Sequence, residues 1–185
     1  MVPAPLISHG LNRRFKIKPR QQKSITTYTN ENPYRLIYVS TIDEYKHQWH
    51  VIEAVGKLRH EGYQIILELI GTFYPPSLHR LKTVMKNLDP NNEWVFYNYS
   101  ISHDKLHQKY LDSDLGLFAS SCENMPNILL EIMGAGLPIA CSNREPMPEI
   151  LGEGGEYFNP EEKDSIYNAI IRLINSPSTR AKKAE

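Results

Sequence analysis

A chain of 185 residues, 41% hydrophobic and 23% charged, is long enough for one well-packed soluble domain and short for two. Lys and Arg number 21, as do Asp and Glu, so the net charge is zero and no global field favours nucleic acid or an anionic membrane. Two cysteines, Cys122 and Cys141, outside any Cys-x-x-Cys pattern, exclude a disulfide framework, fit a reduced compartment and make the cytoplasm the expected location. The opening residues lack a basic stretch followed by an apolar core, so no secretory signal is expected. The longest weakly charged run, 124–143, carries Glu131 and two glycines and reads as a core helix plus a strand rather than a membrane span.

In chain order, residues 1–32 read as a linker leading into the domain. A short extended piece at 3–10 ends in a Gly turn, and a basic run follows with Arg13, Arg14, Lys16, Lys18, Arg20 and Lys23. The run has neither helical nor alternating periodicity, so it reads as solvated, with a specific anion site as the alternative. The domain proper spans 33–176. It opens with a strand at 35–39, a polar loop at 40–47 and a helix at about 48–59, where Val51, Ile52, Val55 and Leu58 recur at helical spacing and Gly62 stops it. A strand at 64–70 closes at Gly71, and a helix at 76–88 carries Leu78, Leu81, Val84, Met85 and Leu88 on one stripe. A strand at 94–97 precedes a helix at 103–111, with Ser102 as its candidate cap, and a strand at 115–118. After a polar loop come a helix at 127–135, a strand at 138–141, a short helical piece at 145–151 and a candidate edge strand at 156–158. The last long helix, 161–175, points Ile166, Ala169, Ile170, Leu173 and Ile174 inward and stops at Ser176-Pro177. The tail, 177–185, reads as a helix start cut short, which suggests a missing terminal helix.

Strands alternating with helices predict an α/β fold, a doubly wound parallel sheet in a single domain. Ligands bind such sheets outside the carboxyl ends of the strands, so the loops after Val39, Ile70, Tyr97, Phe118 and Cys141 should rim the site. Neither a Gly-x-x-x-x-Gly-Lys loop nor a Gly-x-Gly-x-x-Gly fingerprint is present.

The chemistry concentrates at 120–138. The helix there is apolar nearly all round, with Ile128, Leu129, Leu130, Ile132 and Met133, and is expected to be buried. Glu131 inside it needs a hydrogen-bonding partner or a polar cleft. The helix N-terminus at the sheet's carboxyl edge is a natural diphosphate seat; Pro126 suits its first turn and Asn124 tolerates a left-handed turn. Glu131 could accept from a vicinal diol such as the ribose 2′- and 3′-hydroxyls, and Glu123, eight positions earlier, from hydroxyls of a second sugar. A helix-capping acid for Glu123 and a buried ion pair for Glu131 stand equally open. His103 and His107 read as parts of an ordinary helix start, and no His/Cys/Asp cluster has metal-ligand spacing.

The run 121–139, Ser-Cys-Glu-Asn-Met-Pro-Asn-Ile-Leu-Leu-Glu-Ile-Met-Gly-Ala-Gly-Leu-Pro-Ile, closely resembles the Glu-x7-Glu signature of retaining GT-B glycosyltransferases of the family-4, or group 1, type. Weaker matches at 7–12, 38–46, 51–54, 67–71, 114–121, 148–150 and 154–160 carry the resemblance along nearly the whole chain. It implies a Rossmann-like donor-binding domain, the C-terminal half of a GT-B fold. Glu123 would be the catalytic residue, facing the transferred sugar near its anomeric carbon, and Glu131 would hold the ribose. Asn124, Met125, Pro126 and Asn127 would form the donor loop, with amides around Met125 and Asn127 on the diphosphate. Lys46 would neutralise the leaving diphosphate, and the loop bearing Tyr97, Asn98 and Tyr99 would lie against the base.

The resemblance further implies a UDP- or GDP-sugar donor, a hexosyl transfer with retained configuration, and no cofactor or metal. Its implied partners are an acceptor glycan or lipid-linked glycan and an N-terminal acceptor domain of the same parent protein, preceding residue 1. The chain alone would then bind donor and transfer little. The usual setting of such proteins is cell-surface polysaccharide or lipopolysaccharide synthesis, with the parent enzyme cytoplasmic and peripheral at the inner membrane face. Two departures stand out: the family usually has Arg where this chain has Thr41, and Gly where it has His47. Half of the cationic clamp is then missing, with Arg144 a candidate substitute. The alternatives are a non-catalytic nucleotide-binding or interaction module, a GT-B nucleotide-sugar epimerase, and a phosphorylase, for which no cofactor lysine stands out.

Overall fold

The computed structural model describes residues 13–185. The extended piece expected at 3–10 and the match at 7–12 lie outside the described residues. Six strands form one sheet: β1 (Tyr34–Val39), β2 (Ile65–Ile70), β3 (Val95–Asn98), β4 (Leu115–Phe118), β5 (Ile139–Ser142) and β6 (Gly155–Phe158). All pairings are parallel, in the order β3-β2-β1-β4-β5-β6. Tyr34 stands beside Ile65, Leu36 lies between Leu67 and Leu115, and Ile139 between Gly116 and Gly155. The chain thus starts in the middle, winds outward to β3, returns and winds outward to β6. This is the Rossmann-like doubly wound α/β sheet, with β6 at an edge as expected.

The crossovers are the helices α1 (Gln48–His60), α2 (Pro75–Leu88), α3 (His103–Leu111), α4 (Asn127–Gly134) and α5 (Met147–Leu151), and α6 (Lys163–Ile174) follows the last strand. Val51, Ile52, Val55 and Leu58 of α1 are fully buried, and α1 packs against both α2 and α6. Burying such aliphatic side chains stabilises the fold by roughly 1.5–3 kcal/mol each. α4 lies on the sheet so closely that a Cβ on Gly116 would come within 2.3 Å of Ile132 Cγ2. Only Leu129, Glu131 and Ile132 of α4 are buried; Ile128, Leu130 and Met133 are half-buried. The expectation of a helix buried all round is therefore corrected. α4 sits in an outer layer, where one face meets solvent whatever its composition. Ser102 takes the N-cap position of α3, but its side chain makes no capping hydrogen bond.

The basic run is not a free linker. Its charged residues are exposed, as expected, yet Phe15 is fully buried against the His103 and Tyr110 rings, and Ile17 donates its N–H to Gly134 O at 2.8 Å. Arg14 pairs with Asp104, and Arg20 donates to Leu111 O and to Asp114 at 3.4 Å. Gly136 (φ 63°) lets the strap pass, since a Cβ there would lie 2.8 Å from Pro19 N. Two isolated apolar anchors in a basic run have no period to betray them. The tail also forms a full helix, α7 (Pro177–Ala184), with Ser176 Oγ accepting from Thr179 N at 3.2 Å and Pro177 in the first turn.

Candidate functional site

In this strand order the sheet reverses its winding between β1 and β4, and a crevice opens at their carboxyl ends. The loop after β1 supplies Lys46 and the loop after β4 supplies Glu123, and the two side chains form an ion pair although 77 positions apart. Lys46 is only 8% exposed; its ammonium lies 4.8 Å from the Tyr45 ring centre and 5.6 Å from that of Phe118. Tyr38, buried on β1, donates its hydroxyl to Lys46 O at 2.8 Å and so fixes the lysine's backbone. The pair borders a cleft of about 260 Å³ lined also by Ser40, Thr41, Met125, Pro126, Asn127 and Ile128.

α4 begins at this cleft. Its N-cap is Pro126, no side chain caps it and its first turn holds no acid. Asn127 N already donates to Met125 O at 3.0 Å and Leu129 N to Pro126 O at 2.9 Å. The Ile128 N–H and the positive dipole end, rather than the Asn127 amide expected from the sequence, are therefore what α4 offers an anion. Pro126 occupies the cap, directly before the helix that begins at Asn127. Asn124 is not left-handed; His47 (φ 51°) and Asn92 (φ 55°) are the non-glycine residues with positive φ among those described. The left-handed turn that orients the site therefore belongs to the Lys46 loop, and a position of that conformation explains why glycine is expected at 47.

The cleft ends at Ile128; Glu131, a turn further on, meets other groups. His103 Nε2 stands 2.9 Å from Oε1, and the Tyr110 hydroxyl donates to Oε2 at 3.3 Å. Burial first, and then the Glu131 carboxylate, push the Tyr110 phenol well above its ordinary range, so it remains a donor. Of the alternatives open from the sequence, a buried ion pair would need the His103 ring to carry a charge; what Glu131 displays is a pair of hydrogen-bonding contacts. A carboxylate has about four lone-pair sites, so two protein donors leave room for further hydroxyls. His103, read from sequence as an ordinary helix residue, is the partner missed; its place in the first turn of a helix starting at the sheet's carboxyl edge was its only signal.

The remaining candidates fall elsewhere. Tyr97 donates to Gly71 O at 2.9 Å and Asn98 to Glu68 at 2.5 Å, whereas Tyr99 is exposed, its ring 4.9 Å from Tyr97 and 5.9 Å from Phe73. All three line a separate cavity of about 440 Å³ at the β3 edge with Lys82 and Lys86. Thr41 bonds Thr72 at 3.1 Å, and Arg144 is held by Asn159 and Glu161 at 3.3 and 3.2 Å. Neither brings a second cation to the cleft.

Residues 19–185 match the family model described as glycosyl transferases group 1. The chain belongs to the group 1 glycosyltransferases. A similar curated protein is O-antigen chain mannosyltransferase B of Escherichia coli, 28% identical over 87 residues, 47% of this chain and 23% of that protein. Among solved structures, the C-terminal domain of the group 1 glycosyltransferase LpcC of Francisella tularensis superposes with a TM-score of 0.76 at 19% identity, covering 95% of this chain and 93% of that one. HepE of Anabaena, solved with UDP and glucose, gives 0.75 at 20% identity, covering 84% of this chain and 42% of that one. The group 1 chain therefore spans under a quarter of the mannosyltransferase and under half of HepE. Its fold is that of GT-B C-terminal domains.

Proposed function

We propose that this chain is the donor-binding domain of a retaining glycosyltransferase that moves a hexose from a nucleoside-diphosphate sugar to an acceptor hydroxyl. The observation that carries the reading is the Lys46–Glu123 pair at the mouth of a cleft that also holds the uncapped start of α4. A diphosphate entering there would meet the Ile128 N–H and the positive end of α4 and draw Lys46 from Glu123, freeing the carboxylate to face the sugar. Charge developing on the leaving diphosphate would be met by an ammonium and a helix terminus already in place, without a metal. Glu131, oriented by His103 and Tyr110, would accept the ribose hydroxyls. UDP or GDP fits this chemistry, and the UDP bound to HepE supports the former. The similarity to an O-antigen chain mannosyltransferase supports a role in cell-surface polysaccharide or lipopolysaccharide synthesis; in that role the parent enzyme would work at the cytoplasmic membrane face.

A second reading, a nucleotide-binding module without catalysis, is favoured by the uncharged Thr41 and by the engagement of Arg144 elsewhere. Titration calorimetry with UDP and GDP tests the first step of both. One of the two should bind, and Glu131→Ala should weaken it about tenfold, about 1.4 kcal/mol. Absence of binding by both at millimolar concentration overturns the donor reading. Assay of the full-length parent with acceptor then separates enzyme from module.

A further inference from the structure

Besides the ion pair itself, three polar contacts join the Lys46 loop to the Glu123 loop, and all three pass through Ser121. Its N–H donates to Tyr45 O at 2.8 Å, its hydroxyl lies 3.3 Å from the same oxygen, and His47 Nε2 lies 2.9 Å from that hydroxyl. Tyr45 and His47 flank Lys46 in sequence, and Ser121 precedes Glu123 by two residues. The Ser121 hydroxyl has one proton and two lone pairs, so it accepts from His47 Nε2 or donates to it according to the ring tautomer. The opposite nitrogen, Nδ1, is buried without a protein partner. The ring is stacked on His50 at 5.5 Å and 13°, and meets Trp49 edge-on at 6.2 Å. The backbone beneath it is left-handed, a conformation that side chains beyond glycine seldom adopt. A buried ring held at an unfavoured backbone position, with one nitrogen aimed at one hydroxyl, is over-determined for orientation.

We propose that His47 is a positioning residue for the Lys46–Glu123 pair, clamping the β1–α1 loop to the β4–α4 loop through Ser121 and so setting the separation of the two charged groups. The clamp stands on geometry alone; its effect on a donor rests on the function proposed above. Asn at 47 tolerates the left-handed backbone and keeps an N–H donor, whereas Gly keeps the backbone and deletes the clamp.

The test uses the full chain. In His47→Gly, the Ser121 amide should exchange with solvent at least tenfold faster while the Leu117 amide in β4 keeps its rate. The Lys46 ammonium signal, visible by ¹H–¹⁵N NMR while it is paired, should disappear. His47→Asn should restore part of both, and His47→Gly in a Ser121→Ala background should add nothing further. UDP affinity should fall about fivefold in His47→Gly at unchanged Tm. Unchanged Ser121 exchange and an unchanged ammonium signal in His47→Gly overturn the clamp. If the wild-type chain binds neither UDP nor GDP yet both NMR readouts respond, the donor reading fails and the clamp stands.

Discussion

Two cations are withdrawn from water in this domain, and their surroundings solve the problem in opposite ways. Arg180, on α7, is fully buried. It donates to Leu173 O at 2.8 Å, Ile174 O at 2.6 Å, Gln22 Oε1 at 3.0 Å and Lys23 O, and lies 5.5 Å from the Tyr34 ring centre. Every one of these acceptors is neutral, and two are carbonyls at the end of α6, the negative pole of that helix. Four of the guanidinium's five N–H groups are matched by oxygens from the strap and from the end of α6. Lys46 has one charged partner, Glu123, two rings beneath it and an open cleft in front. An ammonium has three donors, so this shell is unfinished and its carboxylate can be exchanged for a phosphate. A closed shell of neutral acceptors builds the fold, and an open shell with an exchangeable anion builds a site.

The largest effect that would break this contrast comes from Arg180. Arg180→Ala strands main-chain carbonyls and removes the bridge between strap, α6 and α7, so stability should fall by about 3 kcal/mol in urea titration. Nucleotide affinity of the molecules still folded should hold. A loss under about 1 kcal/mol would show that the shell is not what closes the fold. The reverse pattern is expected at Lys46. In Lys46→Met, Glu123 can turn toward the open cleft and stability should change by no more than about 1 kcal/mol. Nucleoside-diphosphate binding, read by calorimetry, should weaken at least tenfold. Equal losses in the two measurements would place Lys46 with Arg180 as a structural cation.

What was legible in the sequence divides along the same line. The sheet was legible because each strand and helix repeats its own period, and the six-strand order follows from winding rules rather than from any one residue. The Lys46–Glu123 pairing was legible only as two loops at the same edge, brought together by resemblance. The strap was not legible, because Phe15 and Ile17 are single apolar residues whose partners lie about 90 and 120 positions away. Nor was Arg180, which sits in a tail of Lys and Ala and becomes structural only once α6 ends beside it. Ser176-Pro177 carried both signals at once, the stop of one helix and the cap of the next. Glu131 announced that it needed a partner; which one it had required His103 to be folded 28 positions back onto it.

His47 offers the smallest and sharpest test, because it avoids charge where the two cations satisfy it. Burial is the main force holding its pKa below the ordinary imidazole value; His50, Arg80 and Arg144 push the same way, and Glu161 opposes them. The unfolded chain keeps an ordinary pKa of about 6.5 and takes up a proton first as pH falls. Between that pH and the lower native value the unfolded state holds more protons, so stability declines with falling pH and levels off once the native ring also protonates. Urea midpoints at pH 7.5 and 5.5 should therefore differ more for the wild-type chain than for His47→Asn, whose side chain does not titrate. Histidines away from position 47 contribute equally to both proteins and cancel in the difference, and making the comparison in a His50→Asn background removes the ring stacked on His47. An identical pH dependence in the two would mean that the ring at 47 gains its proton as easily folded as unfolded, and that its burial beside His50 carries no electrostatic cost.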